Sequence, residues 1–295
     1  MEQDALRIRG LEKSFSKFKL GPIDVTVPRG IIYGLIGPNG AGKTTTIDLV
    51  MGMGHKEAGS IEVFGFDLAR EEVAAKKRIG YASPDMPFTA WGRVGRVLSF
   101  YRSFYPDWDD AYCTDLLRRL NLGWDDKIRT LSFGARTKLG LVLALSHRPG
   151  LLLLDEPIIG LDAVSKQEVF SELLDAVRDA NRSVVISSHD LHDLERFADH
   201  VGIIKAGKML IEGPTAALVE RFRMVDCIAP ASAAADITPH GIRGVYVQQQ
   251  DGRRWRMLVD QSDGAMDLLK ARDMTEITAA PVTLEELCVA LVKEV

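Results

Sequence analysis

Short, largely apolar runs alternate along the chain with stretches in which apolar positions recur at helical spacing. Residues 31–36, 151–154 and 184–188 have the length and composition typical of buried strands. Residues 43–51 and 165–180, which follow two of these runs, have the pattern of helices. Because strands that alternate with helices usually form parallel sheets, the pattern predicts an α/β fold with a mainly parallel sheet.

Two regions depart from this alternation. Residues 5–10 and 21–27 predict strands on either side of a turn, which we expect to be antiparallel N-terminal strands. Residues 88–112 are rich in aromatic side chains and are followed by further helical patterns. We interpret this region as a helical subdomain inserted into the α/β core at about residues 86–148.

The last part of the chain has a pattern of its own. Residues 244–250 and 253–260 read as a β-hairpin around an Asp-Gly pair, and two helical patterns follow it. We therefore predict an α/β domain at residues 1–220 and a small C-terminal α/β accessory domain at residues 221–295.

Composition and charge limit the classes of function. The chain has 295 residues, of which 46% are hydrophobic, and a formal net charge of -4. This balance gives no general attraction to nucleic acid. No apolar run approaches the ~18 residues needed to cross a bilayer, and the N-terminus lacks the features of a signal peptide. The 3 cysteines are widely spaced and predict neither a disulfide framework nor a zinc site.

A glycine-rich loop between a predicted strand and a predicted helix has the Gly-x-x-x-x-Gly-Lys-Thr pattern. Its backbone N–H groups and the start of the helix can hold phosphates, its lysine can contact the β- and γ-phosphates, and its threonine can ligate Mg²⁺. A glycine-rich turn that merely enters a helix is the alternative. The predicted nucleotide-binding residues are Gly37, Pro38, Asn39, Gly40, Ala41, Gly42, Lys43, Thr44 and Thr45.

Two carboxylates end the leucine-rich run at residues 151–154. In an α/β sheet, ligands bind where the parallel strands end. Asp155 is therefore predicted to hold Mg²⁺, together with Thr44, and Glu156 to act as the general base on the attacking water. An ordinary acidic turn after a strand is the alternative.

These two motifs lie about 110 residues apart, with Leu131-Ser132-Phe133-Gly134 between them. Together they resemble the ATP-binding cassette subunits of ABC transporters, over roughly residues 6–220. The resemblance implies a P-loop ATPase that hydrolyses ATP with Mg²⁺. It also implies a head-to-tail homodimer, or a pseudo-dimer with another ABC subunit, around two ATP molecules. A transmembrane permease on a separate chain would hold the protein at the cytoplasmic, inner face of the membrane and would serve for export.

The resemblance assigns roles to five further residues. Phe15 matches the aromatic residue that stacks on adenine. Ser132 and Gly134 match the signature residues that contact the γ-phosphate bound by the partner subunit, and Asp162 matches the loop that couples the two sites. His189 matches the switch histidine, which acts with Lys43 and Glu156 in catalysis.

Two positions differ from the family pattern. The family's signature usually ends in Gly-Gly-Gln, whereas Ala135 follows Gly134 here. The family's usual Gln or Glu after the Gly-Tyr pair is replaced by Pro84, which has no side-chain oxygen for Mg²⁺ or water. We expect Asp85, one position later, to take the place of this Mg²⁺ ligand.

Two other functions fit part of the pattern. Pro84 and Ala135 favour a regulatory or weakly hydrolysing cassette, which the complete phosphate loop and acidic strand end oppose. A soluble ABC ATPase that acts on DNA or ribosomes is disfavoured by the acidic charge and by the lack of a coiled-coil insertion or a second cassette.

The aromatic residues of the helical region allow two interpretations. Phe100, Phe104 and Trp108 share the i, i+4 spacing of one helix face, as residues of a subdomain core do. In the family, the same region holds a groove for a helix of the permease. We expect most of the aromatic side chains to form the core and the others to form a docking surface.

Overall fold

The computed structural model describes residues 4–180, 182–189, 191–230, 242–271 and 274–294. The strands are β1 (Leu6–Ser14), β2 (Lys19–Val27), β3 (Ile32–Ile36), β4 (Ala58–Val63), β5 (Phe66–Asp67), β6 (Ile79–Ala82), β7 (Leu151–Asp155), β8 (Ser183–Ser188), β9 (His200–Lys205), β10 (Lys208–Pro214), β11 (Phe222–Ile228), β12 (Val245–Asp251), β13 (Arg254–Asp260) and β14 (Thr275–Pro281). The helices are α1 (Lys43–Val50), α2 (Glu72–Lys76), α3 (Val94–Arg102), α4 (Asp110–Arg119), α5 (Phe133–Leu145), α6 (Ala163–Ala180), α7 (Leu191–Phe197), α8 (Thr215–Arg221), α9 (Ala265–Ala271) and α10 (Leu284–Glu294).

A six-stranded sheet with the order β10-β9-β3-β8-β7-β6 forms the centre of the first part of the chain. β3 pairs in parallel with β8 and β9, and β7 pairs in parallel with β6 and β8. Every residue of β3, β7 and β8 is buried, as expected for strands covered on both faces. The parallel register brings the ends of β3, β7 and β8 to the same edge of the sheet.

A second sheet, with the order β2-β1-β4-β5, is antiparallel. Its side chains share a core with the six-stranded sheet, for example Ile8 of β1, Leu35 of β3 and Leu153 of β7. β1 continues beyond Gly10, where the predicted strand ends. Gly10 has a φ of 56°, and the pairing with β2 shifts register there, so the strand passes through a bulge rather than stopping.

The segment between β6 and β7 is helical. It contains a short 3₁₀ helix (Phe88–Trp91), α3, α4, a second 3₁₀ helix (Ile128–Thr130) and α5. The predicted α/β fold with a mainly parallel sheet, antiparallel N-terminal strands and inserted helices is therefore confirmed. No helix of the described residues combines the length and the apolar character that crossing a membrane requires.

The chain divides into two compact units. One comprises Met1–His189 with Phe197–Glu212, and the other comprises Asp190–Arg196 with Gly213–Val295. The second unit contains an antiparallel sheet with the order β12-β13-β11-β14, in which Trp255, Met257 and Val259 of β13 contribute to the core. The predicted hairpin is β12 and β13, whereas β11 and β14 had no sequence prediction. The predicted domain boundary after residue 220 stays a prediction.

Candidate functional site

The glycine-rich loop connects β3 to α1 and brings the backbone close to its neighbours. Gly40 and Gly42 have φ angles of 75° and 112°, which side-chain-bearing residues rarely adopt. A Cβ atom on Gly42 would lie 2.7 Å from Leu20 Cδ1 and 3.1 Å from Phe18 Cζ. A Cβ atom on Gly37 would lie 2.2 Å from a backbone oxygen. Glycine is therefore favoured at Gly40 by the backbone conformation, at Gly37 by the surroundings and at Gly42 by both.

Lys43, the first residue of α1, is directed back into the loop. Its Nζ donates hydrogen bonds to the carbonyl oxygens of Gly37 at 2.8 Å and of Pro38 at 3.3 Å. The same nitrogen lies 3.2 Å from Oε1 of Glu156. The lysine side chain is only 5% exposed, so this positive charge is fixed where the loop and the end of β7 meet.

The end of β7 is joined to both α1 and β8. Thr44 Oγ1 donates to Asp155 Oδ2 at 2.8 Å, which brings the two predicted Mg²⁺ ligands together. Ser187 of β8, which pairs with Asp155 in the sheet, donates its hydroxyl to the other carboxylate oxygen at 2.5 Å. The same hydroxyl accepts the N–H of Glu156 at 2.9 Å. Ser187 thus fixes the side chain of one acidic residue and the backbone of the next.

Glu156 lies between two of the predicted catalytic residues. Its Oε2 is 2.9 Å from Nδ1 of His189, and its Oε1 faces Lys43. The backbone of Glu156 has a φ of 45°, an uncommon conformation for a residue with a side chain. The carboxylate is 15% exposed and His189 is 41% exposed, so the pair is open to solvent mainly on the histidine side.

Further acidic side chains lie near Asp155. Burial, followed by the charge of Asp155, raises the pKa of Asp48 on α1 above its usual value. Burial likewise raises the pKa of Tyr81, and the charges of Asp155, Asp48 and Asp85 raise it further. Negative charge is therefore concentrated at this edge of the sheet, which favours a bound cation.

Asp85 is exposed, and its backbone N–H donates to Ser83 Oγ at 3.3 Å. Among the described residues, no hydrogen bond joins Asp85 to Thr44 or Asp155. Its role as a Mg²⁺ ligand stays a prediction.

A cleft of about 500 Å³ lies along the glycine-rich loop. Besides residues 39–45, its lining includes Lys17, Phe18 and Glu156. Among the described residues, Phe15 lies outside this lining. Its ring is 47% exposed and 6.0 Å from the ring of Phe18. The aromatic residue predicted from sequence therefore lies beside the cleft, with Phe18 next to it.

The predicted signature and coupling residues lie at the starts of two helices. Ser132 caps α5 by accepting the N–H of Ala135 at 3.1 Å. Asp162 accepts the N–H and the hydroxyl of Ser165, each at 2.9 Å, near the start of α6. These bonds hold the pKa of Asp162 below its usual value. A Cβ atom on Gly134 would lie 3.0 Å from Leu161 Cδ2, so the two helix starts are neighbours.

Sequence reasoning did not identify Ser187, Asp48 or Phe18. Ser187 and Ser188 form a polar pair at the end of a buried strand, immediately before His189. That pair, placed beside β7 in a predicted parallel sheet, was a usable signal. Asp48 lies four residues after Thr44, on the same face of a predicted helix, which was a second usable signal.

The chain is similar to known proteins along its length. A family model described as ABC transporter matches residues 20–159. The ABC transporter ATP-binding protein YtrB of Bacillus subtilis is 29% identical over 290 residues, which cover 97% of each chain. The lantibiotic transport ATP-binding protein SrtF of Streptococcus pyogenes is 32% identical over 70% of this chain and 90% of that protein. The bacitracin transport ATP-binding protein BcrA of Bacillus licheniformis is 33% identical over 75% of this chain and 71% of that protein.

Solved structures share the fold. The ATP-binding subunit of an ABC transporter superposes with a TM-score of 0.64 at 23% identity, over 73% of this chain and 92% of that one. A nucleotide-free ATP-binding cassette from an ABC transporter gives a TM-score of 0.62 at 23% identity, over 72% of this chain and 91% of that one.

Proposed function

The chain belongs to the family of ABC transporter ATP-binding proteins, which are ATPases, and we propose that it hydrolyses Mg-ATP in a dimer and thereby drives a separate transmembrane permease. The arrangement of Glu156 carries this proposal. Its carboxylate lies 3.2 Å from Lys43 and 2.9 Å from His189, at the end of the phosphate loop's cleft. A carboxylate held between a lysine and a histidine is suited to act as a general base on water beside a bound phosphate.

The residues at the end of β7 fit Mg²⁺. A hydroxyl oxygen from Thr44 and a carboxylate oxygen from Asp155 are 2.8 Å apart, and hard oxygen ligands are those that Mg²⁺ prefers. Thr44 and Asp155 hold the ion in this proposal, with Asp85 as a third ligand. When bound, the ion would neutralise negative charge on the phosphates.

The remaining chemistry falls to side chains of this chain. Apart from Pro38, which has no N–H, the loop residues 37–45 hold the phosphates through backbone N–H groups, and Lys43 neutralises charge on the β- and γ-phosphates. Oε1 or Oε2 of Glu156 takes the proton of the attacking water. The contact between Nδ1 of His189 and Glu156 holds the carboxylate in place and turns the imidazole of His189 towards the γ-phosphate.

A second ABC subunit completes each site in this proposal. Ser132 and Gly134 lie at the start of α5 and Asp162 lies at the start of α6, and the side chains of Ser132 and Asp162 are hydrogen-bonded within their own helix starts. The N-terminus of a helix such as α5 carries partial positive charge, which favours a bound anion. The γ-phosphate held by the partner's loop is the ligand that we assign to it.

A permease segment docks on the helical region between β6 and β7. A cleft of about 630 Å³ there is lined by Trp91, Arg93, Arg96 and Trp124, and the side chain of Trp124 is 51% exposed. Exposed aromatic and arginine side chains are enriched in the centres of protein interfaces. Attachment through the permease holds the chain at the inner face of the cell membrane. A relative named Nod factor export ATP-binding protein I, from Burkholderia lata, supports export as the direction.

A regulatory or weakly hydrolysing cassette is the second candidate, because Pro84 and Ala135 depart from the family pattern.

Steady-state phosphate release from Mg-ATP separates the two candidates. We expect the wild type to release phosphate and Glu156→Gln to be slower by about a hundredfold or more, since it lacks the general base. ATP affinity, measured by calorimetry, changes little, and Glu62→Gln on β4 is the matched control. A wild type that binds ATP without releasing phosphate contradicts the first candidate.

A further inference from the structure

Glu57 lies in the segment that leads from α1 into β4, and its carboxylate holds Ser14, the residue immediately before Phe15. We propose that Glu57 is a positioning residue that fixes Phe15 for contact with the base of ATP. This inference rests on the proposed function, in which Phe15 stacks on adenine.

The contact between Glu57 and Ser14 uses both oxygens of the carboxylate. Oε1 accepts the backbone N–H of Ser14 at 3.0 Å, and Oε2 accepts its hydroxyl at 2.8 Å. One bond therefore fixes the backbone of Ser14 and the other fixes its side chain. A carboxylate offers two equivalent acceptors for this arrangement, whereas an amide offers one.

Two further bonds attach the end of β1 to the same segment. Lys13 Nζ donates to the carbonyl oxygen of His55 at 3.0 Å, and the N–H of Glu57 donates to the carbonyl oxygen of Glu12 at 2.8 Å. Lys13 also lies over the ring of Phe15, with its Nζ 5.3 Å from the ring centroid. Three successive residues before Phe15 are thus held by residues 55–57.

Phe15 itself has few other constraints on its position. Its ring is 47% exposed, and its backbone N–H donates to the carbonyl oxygen of Phe18 at 2.7 Å. Phe18 lines the cleft of the phosphate loop, so the ring of Phe15 extends from the border of that cleft. Because packing fixes an exposed ring only in part, the backbone before it helps to set its direction, and Glu57 holds that backbone in addition to the pairing of β1 with β2.

The segment that contains Glu57 also follows α1, the helix that the phosphate loop begins. The proposed contact of Phe15 with the base and that of the phosphate loop with the phosphates are therefore both connected to α1, but through different residues. We call them the base contact and the phosphate contact. Loss of the Glu57 carboxylate weakens the base contact and leaves the phosphate contact intact. This separation gives the inference a specific test.

The test compares ATP with a ligand that has the phosphates but no base. We would measure dissociation constants for Mg-ATP and for Mg-tripolyphosphate by calorimetry, using wild type, Glu57→Ala and Glu57→Gln, with Glu62→Gln as the matched control. We expect Glu57→Ala to weaken ATP binding about fivefold, and Glu57→Gln to weaken it less. Tripolyphosphate binding and kcat for ATP stay as in the wild type.

The Phe15→Ala variant distinguishes failure of the positioning role from failure of the base contact. We expect this variant to weaken ATP binding about tenfold, and the double variant Phe15→Ala/Glu57→Ala to bind ATP no more weakly. If Phe15→Ala weakens ATP binding and the Glu57 variants do not, the positioning role is overturned and the base contact stands. If Phe15→Ala has no effect, the base contact falls and the positioning role falls with it. Equal weakening of ATP and tripolyphosphate by Glu57→Ala also overturns the inference, since Glu57 then supports the whole site.

Discussion

Ser187 connects the two acidic residues at the end of β7 although it belongs to a different strand. Its hydroxyl donates to Asp155 and accepts the N–H of Glu156. One small side chain therefore orients a proposed metal ligand and sets the backbone from which the proposed general base projects. Groups of this kind, which touch ligands rather than substrate, often matter for activity because they fix direction.

Replacing Ser187 by alanine tests this role. Ser187→Ala removes both hydrogen bonds, and we expect kcat for ATP hydrolysis to fall about tenfold with a smaller change in ATP affinity. Ser183→Ala is the matched control, because Ser183 lies at the other end of β8 and bonds the backbone at Gly30. Phosphate release measures the rate. A kcat equal to that of wild type, or an equal loss in both variants, contradicts the assigned role.

The separation along the chain between interacting residues explains which site residues could be predicted from the sequence. The phosphate loop is a local pattern between a strand and a helix, and Asp155 and Glu156 end an unmistakable buried strand. Ser187 and Glu57 act on residues about 30 and 40 positions away, so their roles depend on strand pairing that a single sequence does not specify. Phe18 belongs to the cleft because a glycine leaves space for its ring, which is also a tertiary effect.

At the scale of elements, α4 and α6 are joined by an ion pair with one buried partner. Arg119 Nη1 on α4 lies 2.9 Å from Oε2 of Glu172 on α6, and the glutamate side chain is 6% exposed. Burial raises the pKa of Glu172, and the charge of Arg119 opposes that rise. α6, the helix that follows Asp162, is therefore held to α4 by an ion pair in which the buried carboxylate of Glu172 depends on Arg119.

Removing the arginine should destabilise the fold in a pH-dependent way. We expect Arg119→Ala to lower the free energy of unfolding by about 2–3 kcal/mol at neutral pH, because it leaves a buried carboxylate unpaired. The raised folded-state pKa of Glu172 rises further in the variant. The deficit is therefore full above the folded-state pKa of the variant and shrinks as the pH falls, until Glu172 is protonated in both native proteins below the folded-state pKa of the wild type.

Denaturant unfolding of wild type and variant at several pH values measures this effect. Arg118→Ala is the matched control, because Arg118 pairs with Asp115 on the exposed side of α4. We expect it to change stability by less than about 1 kcal/mol at any pH. A deficit for Arg119→Ala that is constant with pH would argue against an unpaired Glu172 as its cause.

Burial explains part of the accuracy of the element predictions. β3, β7 and β8 are buried along their whole length, and their apolar runs made them recognisable. β14 is mostly exposed and contains two alanines and a proline, so it lacks both the alternation and the composition that indicate a strand. β11, which pairs with β13 and β14 in the same sheet, was not predicted either, although four of its seven residues are buried. Burial alone therefore does not make a strand recognisable.

At the scale of the whole molecule, the proposed site is divided between two subunits. In the proposed dimer, Lys43 and Glu156 belong to one half of the site, and Ser132 belongs to the half that would face a partner's ATP. Among the described residues, no hydrogen bond or ion pair joins Ser132 to Lys43 or Glu156. A single chain is therefore expected to hydrolyse ATP poorly, and its rate should rise with protein concentration more steeply than first order.

Mixing two inactive variants tests the division directly. Lys43→Ala disables the phosphate loop, and Ser132→Arg disables the start of α5, so each alone should release little phosphate. A mixed dimer contains one site with both halves intact, and an equal mixture should recover about a quarter of the wild-type rate. No recovery, together with evidence for mixed dimers by crosslinking, would place the whole site in one chain.

The backbone of Glu156 places a limit on how this protein can evolve. Glycine adopts a φ of 45° without strain. For a residue with a side chain, this conformation costs on the order of 1 kcal/mol. Stability alone would therefore favour glycine at this position, whereas the proposed role as general base requires the carboxylate. A lineage that lost its transport role would be free to drift towards glycine here, so the residue at position 156 records whether hydrolysis is still under selection.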